Sequence, residues 1–120
     1  MATSGIKGLY IETRDYEATG AFWKSLGFRA VFETGHSGQW LHPTGGPYVF
    51  INEQPDPEQP LDTHPILSVS DADGFAPEGP VQWAKRFQNE HWGEAHAMIT
   101  DPDGRVVALQ APRMKDERET

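Results

Sequence analysis

Apolar and polar residues alternate along most of the chain, and this period of two gives way only once to a helical period. Over residues 8–13, Leu9 and Ile11 fall on one face and Gly8, Tyr10 and Glu12 on the other, which predicts a first strand. Asp15 is suited to cap a helix. After it Ala18, Ala21, Phe22 and Leu26, with Trp23 beside them, recur at helical spacing, and Gly27 stands at the stop position. The helix is expected to bury that stripe, with Phe22 and Trp23 in the core. Residues 28–33, 39–42 and 48–52 then alternate as three strands, which gives the order βαβββ.

The second half echoes the first. The stretch Ile6-Lys7-Gly8-Leu9-Tyr10-Ile11-Glu12-Thr13-Arg14-Asp15 is matched by Asp62-Thr63-His64-Pro65-Ile66-Leu67-Ser68-Val69-Ser70-Asp71. Likewise Gly45-Gly46-Pro47-Tyr48-Val49-Phe50-Ile51-Asn52 is matched by Asp103-Gly104-Arg105-Val106-Val107-Ala108-Leu109-Gln110. The spacing is roughly 57 residues, so a cleft would be lined by matching strands from both copies. Module one is expected over about 6–52 and module two over about 63–112. Between them, residues 53–62 are rich in proline and acid and read as a linker. Gly74 and Pro77 interrupt the second copy where the first has its helix, so one turn at most is expected there. Strands are expected at 81–87, 94–100 and 105–111, and the charged stretch 113–120 is expected to be disordered.

The sequence has 120 residues, enough for a single domain that buries roughly two-thirds of its unfolded surface. Its net charge of −8 argues against nucleic acid, which requires clustered Lys and Arg, and favours a cationic ligand. With no cysteine there is neither a disulfide framework nor a thiolate ligand or nucleophile, and a cytoplasmic location is expected. No apolar run approaches the roughly 20 residues of a membrane span, and the polar start at residues 1–5 does not read as a signal peptide. Neither a Gly-Xaa-Ser-Xaa-Gly elbow nor a phosphate loop nor a dinucleotide fingerprint is present.

The sharpest local motif is Thr100-Asp101-Pro102-Asp103-Gly104, with Asp, Pro and Gly where a type I turn prefers them. Together with Phe22-Trp23-Lys24-Ser25-Leu26-Gly27-Phe28, His91-Trp92-Gly93 and the repeated strand openings, it resembles the vicinal oxygen chelate superfamily of glyoxalases, extradiol dioxygenases and bleomycin resistance proteins. The resemblance covers about residues 6–112 and marks fold better than activity. It implies an α+β glyoxalase/bleomycin resistance fold, in which two tandem βαβββ modules form curled, mostly antiparallel sheets around an open cleft. In enzymatic members it also implies a divalent metal held by the first and last strand of each module.

Carried over through the repeat, the metal-ligand positions fall on Gly8, Phe50, His64 and Ala108, so a single imidazole stands among three residues with no donor. A strand slip of two residues would instead bring in Tyr10, Asn52 or Gln110, and a divalent metal held by His64, Glu12 and Gln110 is the alternative. Alternation places Tyr10, Glu12, Phe50, His64 and Gln110 toward the cleft, and Trp40, Trp83 and Phe87 either wall it or belong to the core. The leading expectation is a protein without cofactor that sequesters a planar or cationic organic compound, as bleomycin resistance proteins do, with Tyr10, Glu12, Trp40, Phe50, His64, Trp83 and Gln110 as contacts. The alternative is a metal-dependent glyoxalase-like lyase or isomerase, or a dioxygenase. A metal-free enzyme with His64 or Glu12 as general base is the third reading. A homodimer is expected, because a second copy would cover the edges of so small a sheet.

Overall fold

The structure, a computed structural model, describes residues 2–115. Its elements run β1 (Ile6–Thr13), α1 (Tyr16–Ser25), β2 (Arg29–Glu33), β3 (Ser37–Leu41), β4 (Tyr48–Glu53), β5 (Thr63–Ser68), β6 (Gln82–Asn89), β7 (Glu94–Thr100) and β8 (Val106–Pro112). The class is α+β, and the chain divides into two compact units, Lys7–His64 and the remainder from Pro65 together with the residues up to Ile6.

In the unit Lys7–His64 the strand order is β2-β3-β4-β1. β1 runs parallel to β4, with Tyr10 beside Phe50, whereas β3 is antiparallel to both β4 and β2. Asp15 caps α1, its carboxylate accepting from the Ala18 backbone N–H at 3.1 Å, and Gly27 ends it with φ of +100°. The core between α1 and the sheet consists of Tyr16, Trp40, Val49 and Ile51, flanked by Ile11, Trp23, Phe28 and Ala30.

The helix buries a different stripe from the one its hydrophobicity predicts. Tyr16 and Gly20 are its buried residues and Trp23 packs against the same cluster, while Phe22 is 58 % and Leu26 52 % exposed. The cause is Gly20: without a side chain it lets the Trp40 ring approach so closely that a Cβ there would lie 2.9 Å from the ring. That contact turns the 16-20-23 face inward and leaves Phe22 and Leu26 outside.

In the other unit the order is β5-β8-β7-β6, with β5 parallel to β8 and the remaining pairs antiparallel. Val69, Ala95, Ala97, Leu109 and Ala111 form its core, covered by Phe75, Trp83 and Phe87. Residues 71–77 form no helix, only a turn in which the Phe75 N–H donates to the Ala72 carbonyl at 3.3 Å. At the β7–β8 hairpin, Asp101 Oδ1 accepts from the backbone N–H groups of Asp103 and Arg105, and Gly104 adopts φ of +83°. The N-terminal residues join this unit: Ser4 N–H donates to the Ser68 carbonyl, and Ser68 N–H to the Gly5 carbonyl.

The expected disorder from residue 113 does not begin at once. The Asn89 side chain donates to the Met114 carbonyl and accepts from its N–H, at 2.9 and 2.7 Å, and residues 116–120 lie outside the described residues. Among the described residues no helix is long and apolar enough to cross a membrane.

Candidate functional site

One face of the sheet in the unit Lys7–His64 gathers aromatic and acidic side chains. Because β1 and β4 are parallel and in register, Gly8 lies beside Tyr48, Tyr10 beside Phe50 and Glu12 beside Asn52, all on the face away from α1. Tyr48 explains Gly8: a Cβ there would stand 2.5 Å from the tyrosine ring, so the ring occupies the space any larger residue would need.

Tyr10 lies at the centre. Its ring is near-parallel to Phe50 at 6.2 Å between centroids, and it stacks on His64 at 4.7 Å. Its hydroxyl donates to Glu12 Oε2 at 2.8 Å and accepts from the Asn52 amide at 3.1 Å. Burial pushes the Tyr10 pKa up to about 12; the Asn52 hydrogen bond opposes this rise and Glu12 adds to it. The phenol therefore stays neutral and acts as a donor throughout the physiological range.

His64 is only 5 % exposed and has a carboxylate partner two residues earlier, with Nδ1 of the ring 2.9 Å from Asp62 Oδ2. Donating Nδ1–H to that carboxylate leaves Nε2 of the neutral ring as an acceptor, and a protonated ring would form an ion pair. Asp62 is itself held on β1: its N–H donates to Glu12 Oε1 at 2.9 Å, and its carbonyl accepts from the Glu12 N–H at 2.9 Å. Upstream, the Arg14 guanidinium donates to the carbonyls of Gln54, Asp56 and Gln59, which folds the proline-rich segment back along the end of β1.

Of the seven contacts expected from the sequence, Tyr10, Glu12, Phe50 and His64 come together on this face. Trp40 does not: it points to the α1 side, 6 % exposed, and its indole N–H donates to the Tyr16 hydroxyl at 3.1 Å. Trp83, in the other unit, packs edge-on against Phe75 and Phe87 over that unit's core, and the Arg86 guanidinium carbon lies 4.6 Å from its ring centroid. Gln110 is on β8, in register with Ser68 and His96. Asn52, which the sequence offered only through a strand slip of two residues, and Asp62, which was not anticipated, carry two of the hydrogen bonds that organise the face. The signal for Asp62 was present, an acid two residues before a strand histidine, but its role depends on the pairing of the Asp62 backbone with Glu12, which alternation does not encode.

The side chains do not fit the metal that the fold implies. Gly8, Phe50 and Ala108 bring no donor atom, and both oxygens of Glu12 already accept hydrogen bonds. Among the described residues no three His, Cys, Asp or Glu side chains converge as a metal-binding group.

No protein-family model matches the chain. No curated protein matches it. Among solved structures it is similar to methylmalonyl-CoA epimerase from Mycobacterium tuberculosis, with 13 % identity over 94 % of this chain and 91 % of that one and a TM-score of 0.72. A glyoxalase/bleomycin resistance protein/dioxygenase superfamily member from Vibrio splendidus is similar at 13 % identity, over 87 % and 96 % of the two chains, with a TM-score of 0.63. The Mn(II)-bound glyoxalase from Novosphingobium aromaticivorans is similar at 14 % identity over 95 % of this chain and 42 % of that one, with a TM-score of 0.61. At these identities the likeness defines the fold, which is that of the vicinal oxygen chelate superfamily.

Proposed function

We propose that this chain binds a planar, cationic organic molecule without the help of a metal ion. The observation that carries the reading is the aromatic row Phe50–Tyr10–His64, with the Tyr48 ring over Gly8, and Gly8, Phe50 and His64 are three of the positions at which the resemblance implies metal ligands. A flat ligand joins this row of near-parallel rings, and its positive charge is met by Glu12 and Asp62. The net charge of −8 draws a cation toward the protein before contact.

The test is calorimetric titration with N-methylacridinium and, as the oppositely charged control, acridine-9-carboxylate, both in the presence of a chelator. The cation is expected to bind and the anion not, with Tyr10→Ala and Phe50→Ala each weakening the cation by about tenfold, the scale of an aromatic contact. Equal binding of the two dyes, or no binding of the cation, would count against the reading. A second reading is favoured by the 2.9 Å contact between Asp62 and His64, which orients the imidazole as a general base for metal-free proton transfer. Turnover of a bound ligand that disappears in His64→Gln would favour it over sequestration.

A further inference from the structure

We infer that the ligand of the aromatic row is elongated: a planar cation joined through an amide linker to a second apolar group, which rests on Phe32 at the edge of the sheet. This rests on the reading that the row Phe50–Tyr10–His64 takes a planar cation, and it extends that site along the same face.

Register makes the extension. Phe32 pairs with Gln39, Gln39 with Phe50, and Phe50 with Tyr10, so one row of side chains crosses β2, β3, β4 and β1 on the face away from α1. Ala30 pairs instead with Trp40, whose ring meets Gly20 of α1 on the other face. Neighbouring strands lie about 4.8 Å apart, which sets Phe32 about 10 Å from Phe50 with Gln39 between them.

A bulge aims Phe32 at this face. Regular alternation from Ala30 would return Phe32 to the α1 side. The register of β2 against β3 shifts between Ala30 and Phe32, so Val31 and Phe32 both stand opposite Gln39. Two consecutive apolar residues are thereby exposed together, Val31 at 58 % and Phe32 at 57 %. Among the described residues no aromatic ring packs on Phe32 and no group hydrogen-bonds the half-buried Gln39 side chain. Both are open to a ligand, whereas Trp40 behind them is buried.

Their chemistry defines the distal half of the ligand. The Phe32 ring and Val31 offer apolar surface to an aromatic or aliphatic group. The Gln39 carboxamide carries both donor and acceptor, and an amide linker presents the matching pair.

The test is calorimetric titration of the full chain, with chelator present, using N-methylacridinium, its 9-(N-methylcarboxamide) and its 9-(N-phenethylcarboxamide). The phenethyl amide is expected to bind about 3- to 10-fold tighter than the methyl amide, the scale of one aromatic contact. Phe32→Ala should bring that ratio close to one, and Phe22→Ala, which removes a similarly exposed ring from α1, should preserve it. Gln39→Met should weaken both amides by about 3- to 10-fold relative to N-methylacridinium, the scale of one hydrogen bond. A ratio of one in the wild type, a ratio that survives Phe32→Ala, or amide binding undiminished in Gln39→Met would overturn this inference, and binding of N-methylacridinium would then leave the reading of the row intact. If no dye binds, that reading falls and this inference falls with it. A dimer in sedimentation that dissociates in Phe32→Ala would also overturn it, because a second copy would then cover the edge.

Discussion

The two units solve the same covering problem in different ways. Each lays four strands in equivalent order, with its first strand parallel to its last. In Lys7–His64 the apolar face is covered by a capped helix that presents Tyr16, Gly20 and Trp23. In the other unit the matching stretch holds Gly74 and Pro77, no helix forms, and Phe75, Trp83 and Phe87 pack edge-to-face instead. Strand pairing in a repeat is therefore more durable than the layer above it, since pairing uses backbone groups and the layer depends on particular side chains.

The largest effects expected from this comparison lie in the two cores. Ile51 and Leu109 are both fully buried, one in each unit, and Ile51→Ala and Leu109→Ala are each expected to cost about 2–5 kcal/mol in denaturant unfolding. A cost near zero for either would mean that its unit is not packed as described.

The repeated aspartates sharpen the contrast at lower amplitude. Asp15 caps a helix, whereas Asp71 accepts the Asp73 N–H in a turn at 3.2 Å. Asp15→Ala should cost about 1 kcal/mol and Asp71→Ala less than about 0.5 kcal/mol, measured by the same unfolding. Equal costs would remove the distinction between the two coverings.

The smallest effect concerns Tyr10, whose counterpart in the repeat is the non-titrating Ile66. The folded pKa of Tyr10 is raised from 10.0 to about 12, so the folded state holds the proton more tightly than the unfolded chain. Its contribution to stability is complete below pH 10 and is lost as the pH rises from there through about 12. Absorbance titration should show one phenol ionising near the upper end of that window and disappearing in Tyr10→Phe.

Much of this was legible in the sequence because it follows from local rules. The Asp15 cap, the Gly27 stop, the bounds of β7 and the turn at Asp101–Gly104 are fixed by residues acting on their near neighbours. Alternation likewise placed Tyr10, Glu12 and Phe50 on one face. What escaped depended on distant partners. The stripe through Phe22 and Leu26 is the more hydrophobic side of α1, but Gly20 and Trp40 decide which side is buried, and a glycine contributes nothing to a hydrophobic pattern. Trp40 faces α1 because β3 pairs it with Val49, a register that its own strand does not reveal. Asp62, which meets His64, is held through its backbone by Glu12, fifty residues away.

The central claim is that the row Phe50–Tyr10–His64 recognises its ligand without a metal. The most direct measurement is an NMR titration of chelator-treated protein with N-methylacridinium, observing the ring resonances of Tyr10, Phe50 and His64. All three should shift together and saturate while the chelator is present. Shifts that arise only after a divalent metal is restored would contradict the account.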